Sequence, residues 1–521
     1  MDRRGKIMLF AVVLLGILFS IVFGLFLHDM FSKRNINEES SRTPAAASEK
    51  SEPALPENQL PKNLYMGKKA PEAVFYTSEG AAVSPDDMIR NAENGVRISF
   101  GETACGVSCE QMTQKYGFAH VIVGDAASAD DSVLIVSDRD GAVYGSWGIQ
   151  VTPTEVILGR SGVVLEYRTG KMTAGEMEGL LKCALEGRDS VGYAFITETM
   201  SGGNGGVATN TSAHGKSPSG RDVLSESQGL MMLYGLAVND RDIFDKSWQF
   251  TRSNLLKNGV AAWYVSADGV QADVNALLDD LRIWYALYLA ENQWPGTYEA
   301  DAEALLAAIK EYCLDEKNRL VDFTDLNTGK RSDTISLQYL DIRILRSMAE
   351  MDPDFQAVCD NAEKILLDGF ISDDFPLFYN NYNYTNRAYD QGNLNTAEAL
   401  YTLWNLSKAD LLPEVSLNWL RTQTEQDTLA ARYRKNGTPV PGYEFHSTAV
   451  YGLAALVAEE AGDEALFEMA LRRMGRQFVL DADDSCFGAY AQKGATIYSF
   501  DQLIPLLANA ALDRNAGNGR K

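Results

Sequence analysis

Composition and patterning predict a chain of several domains: an apolar N-terminal helix, a small α/β domain and a larger all-helical domain. Three observations carry this expectation. The chain has 521 residues, 45% of them apolar, which is more than one ordinary domain holds. Its first uncharged run, Ile7 to Leu27, is 21 residues long and free of proline. Two stretches poor in apolar residues, Asn35–Asn63 and Thr199–Asp222, divide the remainder. They leave a segment of roughly 125 residues with mixed strand and helix patterns and one of roughly 300 that is almost all helical.

The N-terminal run is long enough to span a bilayer core as a helix. Arg3, Arg4 and Lys6 precede it, which favours a cytoplasmic N-terminus. Residues 1–30 are therefore expected to be an uncleaved transmembrane signal anchor, making this a single-pass protein of the cell membrane with everything after the anchor outside the cytoplasm. A cleaved signal peptide is the alternative; no clean small-residue cleavage site closes the run. Residues 31–63, rich in Ser, Glu, Ala and Pro, form an expected disordered linker.

Residues 64–190 make the expected α/β domain. The segments "GVRISF" and "AHVIVG" are short buried strands in pattern. "PTEVILGRSGVVLEYRTG" is two strands joined by a turn at Arg160–Gly162, and "TAGEMEGLLKCALEG" is an amphipathic closing helix. Residues 191–220 are an expected Gly/Ser-rich linker. Residues 221–515 carry helical periodicity starting near Ser225, Arg241, Asn275, Glu299, Ile335, Pro353, Asn395, Glu414, His446, Asp463 and Asp501. About eleven helices without a fixed repeat period predict an α/α toroid.

The net charge is −24, which argues against a nucleic-acid partner, whose phosphates demand basic surface. The four histidines are scattered, so no zinc-type cluster is expected, and no cofactor is expected either. Of six cysteines only Cys105 and Cys109 are close in sequence. On a helix that spacing places them on one face about 6 Å apart, within disulfide reach, and a thiol near a helix N-terminus has its thiolate favoured. Two small buried residues that never pair are the plainer alternative.

With "MGKKAPEAVFY", a strand followed by the cysteine motif, and "YGSWGIQVTPTEVILGRSGVV", residues 64–186 resemble the thioredoxin-like fold, in particular the membrane-anchored redoxins. The resemblance implies that Thr152-Pro153 is a cis-proline facing Cys105 and Cys109. Three residues separate the cysteines here, against two in that family, and the motif lacks its usual Trp and Pro.

The helical segment opens "VLSESQGLMMLYGL". Glu226 there is either a first-turn acid beside a Ser225/Gln228 capping box or a general acid at a substrate cleft. The blocks "SESQG", "NDRDIFD", "WYVSADG" and "NALLDDL" follow in that order over about 60 residues. The segment thereby resembles the family-8 glycoside hydrolases, in particular those attached to exopolysaccharide and cellulose synthesis. The resemblance implies an (α/α)6 barrel, inverting hydrolysis of a β-linked polysaccharide, and Glu226 as general acid. Inversion needs a second, ionised carboxylate that activates water. Aligned on Leu281, the family's acidic pair falls on Leu278 and Asp280, with Asp279 adjacent; a structural role for Asp279 beside Arg282 is equally open. The family's water-activating position falls on Ala397, and Asp390 and Glu398 are the nearest acids. The loop "YNNYNYTNRAYDQGNLNTAE" suits a glycan cleft, with Tyr384 and Tyr389 as substrate-binding candidates, and Trp263 and Trp284 are further stacking candidates unless they are core.

The sequence thus predicts a membrane-anchored extracytoplasmic endo-glycosidase. Its partners are expected to be a polysaccharide substrate, the membrane through the N-terminal helix, and the exopolysaccharide synthase machinery. A catalytically degenerate glycan-binding accessory protein, or a thiol-disulfide protein with a helical accessory domain, are the alternatives.

Overall fold

The structure, a computed structural model, describes residues 61–90, 92–101, 107–124, 133–212, 221–445, 447–492 and 494–516. The α/β part is built on one seven-stranded sheet in the order β2-β1-β5-β4-β3-β6-β7. The strands are β1 (Phe75–Thr77), β2 (Ala82–Val83), β3 (Gly95–Phe100), β4 (Phe118–Val123), β5 (Leu134–Ser137), β6 (Thr154–Leu158) and β7 (Val164–Thr169). Strands β3, β4 and β5 run parallel; β1, β6 and β7 pair antiparallel with their neighbours. Every residue of β3 and β6 is buried; β3 alternates Val96-Arg97-Ile98-Ser99-Phe100 all the same, and its polar members are buried because Arg97 and Ser99 both bond Glu155 on β6. The helices of this part are α1 (Pro85–Ile89), α2 (Val107–Lys115), α3 (Ala142–Trp147) and α4 (Ala174–Glu186). The last starts where sequence predicts, on a capping box of Thr173 and Glu176.

The helical part is a closed double ring. Its helices are α5 (Arg188–Phe195), α6 (Ser225–Ala237), α7 (Arg241–Asn254), α8 (Leu277–Gln293), α9 (Glu299–Tyr312) and α10 (Ile342–Met351). They continue with α11 (Phe355–Asp368), α12 (Thr396–Lys408), α13 (Glu414–Gln426), α14 (Thr448–Ala461), α15 (Glu464–Met474) and α16 (Phe500–Ala516). The even-numbered helices α6 to α16 pack in sequence order around the ring, and α16 closes on α6; the odd-numbered ones lie outside, α5 against α16 and α15 against α14. The inner helices α6 and α14 are apolar nearly all round, as helices buried on both sides must be. The outer α7 carries an apolar stripe of Ile243, Phe244, Trp248 and Phe250.

Residues 191–212, expected as a linker, are instead part of this ring. Helix α5 supplies the twelfth helix, with Val191 and Phe195 buried, and a π-helical turn, Ile196–Met200, continues it. The chain then runs beside the barrel: Ala208 N donates to Met200 O, Thr209 N to Asp222 O and Thr211 N to Ile497 O. The low apolar content of this stretch reflects tight backbone packing. A Cβ on Gly205 would meet Lys246 O at 2.4 Å, and one on Gly206 the Phe250 ring at 2.5 Å. Residues 213–220 lie outside the described residues.

The α/β part and the ring form one compact unit, Leu55–Lys521. Ala482 N donates to Gly175 O on α4. Arg188 forks onto Glu166 with both distances 2.7 Å, and Arg472 reaches Leu64 O at 2.6 Å.

The expected fold class is corrected in one respect: among the described residues no helix is long and apolar enough to cross a membrane. The longest helices, α8 and α16, have 17 residues each and belong to the inner ring. The run Ile7–Leu27 on which the transmembrane expectation rested lies outside the described residues.

Candidate active site

Glu226 sits half-buried in the first turn of α6. The expected capping box is absent. Leu224 is the N-cap and makes no side-chain cap bond. Ser225 instead donates its Oγ to Asp279 Oδ2 at 2.5 Å and also lies 3.2 Å from Trp263 O. Gln228 takes Val207 N and donates to Gly205 O, so it ties the segment after α5 to the barrel. Both residues are fully buried, where such bonds cannot be exchanged for water.

Asp279 and Asp280, adjacent in the first turn of α8, have opposite fates. Asp280 points inward. It accepts from Ala261 N at 2.7 Å and Asn275 Nδ2 at 2.7 Å, with Cys313 Sγ at 3.8 Å. Burial raises its carboxyl to about 7, but it is locked in the wall of the barrel, and its expected catalytic role is corrected to a structural one. Asp279 faces Glu226, whose charge, after burial, helps raise Asp279 to about 6 against the opposing Arg282 guanidinium. The anticipated Asp279–Arg282 pair forms at 3.1 Å with both side chains buried. Arg282 is more than a surface partner: it also donates to Glu226 O at 3.4 Å and to the Tyr401 hydroxyl at 2.8 Å. One buried cation thus fixes the first turns of α6 and α8 and a side chain of α12.

Two residues the sequence reading missed complete the cleft. Tyr339, half-buried in the 3-10 turn Leu337–Tyr339 that packs on α8 and α12, lies within the field of four carboxylates. Its hydroxyl is pushed well above the ordinary tyrosine value by burial and then by Asp322, Asp279, Glu398 and Glu226. Asp322, in the loop after α9, accepts from Thr334 Oγ1 and Ser336 N, both at 2.6 Å, and burial raises its carboxyl. Tyr339 stands four residues after the helix start expected near Ile335, and nothing local marks it or Asp322.

Glu398 occupies the first turn of α12, where the Asn395 side chain caps Ala397 N and Glu398 N. Its carboxyl is raised to about 7, by burial first, against Arg432 and with help from Asp322 and Asp390. Asp390 is half-buried and faces the same group, but its Oδ2 is taken by Gly392 N at 2.9 Å. The starts of α14 and α16 reach the same end of the barrel: Ser227 Oγ meets Ser499 Oγ at 2.9 Å, and Ser447 Oγ meets Asp501 Oδ1 at 3.4 Å. Inner-helix N-termini therefore gather at one mouth, where their dipoles favour anions while burial opposes charge.

Of the aromatic candidates, Trp284 is wholly buried and stacks on Tyr288 at 5.4 Å; its expected sugar-stacking role is corrected to core. Tyr384 is buried beneath Arg319 with its hydroxyl on Leu320 O, and it too is core. Trp263 is buried, and its carbonyl takes Ser225 N, so it supports the α6 turn from behind. Tyr389 bonds Ile365 O and stacks on Tyr379 at 5.2 Å. With Tyr382 4.9 Å from Tyr389, these half-buried rings form an aromatic shelf leading to Asp390.

In the α/β part, Cys109 is buried and disulfide-bonded, whereas Cys183 there and Cys313, Cys359 and Cys486 in the helical part stand outside any disulfide; Cys105 lies outside the described residues. The Thr152-Pro153 peptide is cis. Behind Cys109 a buried network runs from its carbonyl through Thr113 and Arg97 to Glu155, Ser99 and His120. Among the described residues no group of three His, Cys, Asp or Glu side chains is arranged to hold a metal.

Comparison with known proteins gives this geometry a chemistry. Residues 204–320, which include Glu226 and Asp279, match the family model described as glycosyl hydrolases family 8. The chain is 27% identical over 296 residues to the putative lipoprotein YdaJ of Bacillus subtilis (strain 168), spanning 56% of this chain and 79% of that protein. It is 37% identical over 94 residues to an endoglucanase of Cellulomonas uda, spanning 17% of this chain and 26% of the endoglucanase. Among solved structures, a novel alpha-amylase from Clostridium perfringens is 28% identical, with a TM-score of 0.58 over 62% of this chain and 97% of that one. The helical part is a glycoside hydrolase domain on an (α/α)6 barrel, and the family 8 match falls on its first third, residues 204–320.

Proposed function

We propose, from a chain that carries a family 8 glycoside hydrolase domain, that it cleaves interior bonds of a β-linked polysaccharide of the exopolysaccharide type, with Glu226 as the proton donor. The observation that carries this reading is the placement of Glu226 at the mouth of the barrel, beside a second carboxylate on α8 and across Tyr339 from two more. A glycosidase must protonate the leaving oxygen as the anomeric bond breaks. Arg282 and Ser225 fix Asp279, and Arg282 also holds the Glu226 backbone, so the acid's position is set before substrate arrives. The shelf of Tyr379, Tyr382 and Tyr389 offers flat apolar faces to sugar rings beside the carboxylates.

A second reading keeps the chemistry and changes the linkage to an α-glucan; the likeness to the Clostridium perfringens alpha-amylase favours it. One experiment tests both. Purified protein is incubated with mixed-linked β-glucan, deacetylated and acetylated β-linked amino-sugar polymers, and soluble starch, and new reducing ends are counted. Release from a β-linked polymer that falls by about 10²–10⁴ in Glu226→Gln supports the first reading. Release from starch alone supports the second, and full activity of Glu226→Gln overturns both.

We propose also that the α/β part is a thioredoxin-like module. The parallel β3-β4-β5 core flanked by antiparallel β6 and β7, the cis-proline ahead of β6, and a disulfide-bonded Cys109 near the start of α2 support that reading.

A further inference from the structure

We propose that Glu398 is the base that removes a proton from the attacking water. This rests on the reading of Glu226 as the acid and chooses among the second-carboxylate candidates that the sequence left open. The argument is one of hydrogen-bond occupancy. A general base needs an oxygen lone pair open to water, and a carboxylate oxygen already engaged by buried donors has less to give. Around the cleft, Asp280 is held by Ala261 N and Asn275. Asp279 has one oxygen on Ser225 and the other on Arg282. Asp322 has one on Ser336 N and the other on Thr334, and Asp390 has one on Gly392 N. Glu398 differs: its backbone is fixed by the Asn395 cap, while among the described residues no hydrogen bond to its carboxylate is found. The side chain is half-buried. It faces Arg432, which favours the ionised form, and it lies with Glu226 in the surroundings of the same phenol, Tyr339.

The step balances without a further reactant. Water loses a proton to the Glu398 carboxylate as its oxygen bonds the anomeric carbon. The bond from that carbon to the leaving oxygen breaks, and Glu226 gives its proton to that oxygen. The new hemiacetal has the opposite anomeric configuration, and solvent exchange restores both carboxyls. Inversion requires room for a water between acid and base, and here the two carboxylates stand on different inner helices, α6 and α12.

The test uses the full chain and whichever polysaccharide the wild type cleaves. Glu398→Gln is expected to lower kcat by about 10²–10⁴ with KM and glycan binding little changed. Glu398→Asp keeps a charge beside Arg432 and withdraws it by one methylene; it is expected to fold and to lose at least about tenfold in kcat. Azide is expected to restore turnover to Glu398→Ala, forming a glycosyl azide inverted relative to the substrate, and to restore nothing to Asp322→Ala or Asp279→Ala. If Glu398→Gln or Glu398→Asp keeps wild-type kcat while Glu226→Gln is inactive, the base is elsewhere and the assignment of Glu226 stands. Azide rescue at Asp322→Ala or Asp279→Ala instead overturns the proposal in the same way. A wild-type protein that cleaves none of the polymers overturns the functional reading and this assignment together.

Discussion

At the scale of single residues, the adjacent pair Asp279 and Asp280 separates site from scaffold. Asp280→Asn replaces one of two accepting oxygens by a donor opposite Ala261 N or Asn275. It is expected to cost about 1–3 kcal/mol of stability while kcat, measured well below the melting temperature, stays within about threefold. Asp279→Asn disturbs its buried bonds to Ser225 and Arg282 and is expected to lower Tm as well, but with a large loss of kcat that Asp280→Asn does not show; thermal melts and initial rates on the two variants check the contrast. Titration gives a second expectation. A base must be ionised to act, and burial raises Glu398 to about 7 and Asp279 to about 6. Activity should therefore fall as pH drops through that range, and the limb near 7 should disappear from the residual rate of Glu398→Gln. Glu226 was legible because its motif is contiguous. Asp322 and Tyr339 were not, because what makes them functional is the charges around them, and those come from α6, α8 and α12, far apart in sequence.

At the scale of elements, periodicity found the eleven helices from α6 to α16, because each buries a long apolar face, although the one expected from Ile335 begins at Ile342 and Ile335 itself lies in a short strand; it also found β3, β4, β6 and β7 as short runs between turn residues. It missed α5 and the segment after it. Gly202, Gly203, Gly205 and Gly206 read as a flexible linker, yet two of them are small because Lys246 and Phe250 lie against their backbone. The same composition serves looseness and close approach, and only the packing partner distinguishes them. The Ser225/Gln228 capping box failed for a related reason: both side chains had better-buried partners in the tertiary structure. Gln228→Ala should therefore leave the α6 start intact and free the segment before it. The expected cost is about 1–3 kcal/mol, since Val207 N is left buried without its acceptor, with faster proteolysis between residues 201 and 207 as the specific readout.

At the scale of the molecule, the α/β part and the barrel are joined by buried contacts, and one of these responds to pH. Glu468 on α15, buried at the junction, is raised to about 7 by burial and by Glu464, against Arg472 and Lys68. Its unfolded value is near 4.3. A carboxyl raised on folding adds stability that is fully present below the unfolded value and is lost as pH rises through the folded one. Stability should thus decline from about pH 4 to above pH 7. Glu468→Gln should remove that decline, gaining on the order of 2–3 kcal/mol over wild type at pH 8 relative to pH 5; denaturant melts at the two pH values check it. The donated helix α5 has a further consequence, for inheritance and not for energy. A gene segment encoding the family 8 region from residue 204 lacks the outer helix that covers α16, so it is expected to be a poor self-sufficient cassette. Recombination that preserves a working barrel must break the chain upstream of Arg188, which lies one residue after the end of α4 and its cap. The break that frees a complete barrel therefore falls between the cap of α4 and the start of α5, at Gly187 and Arg188.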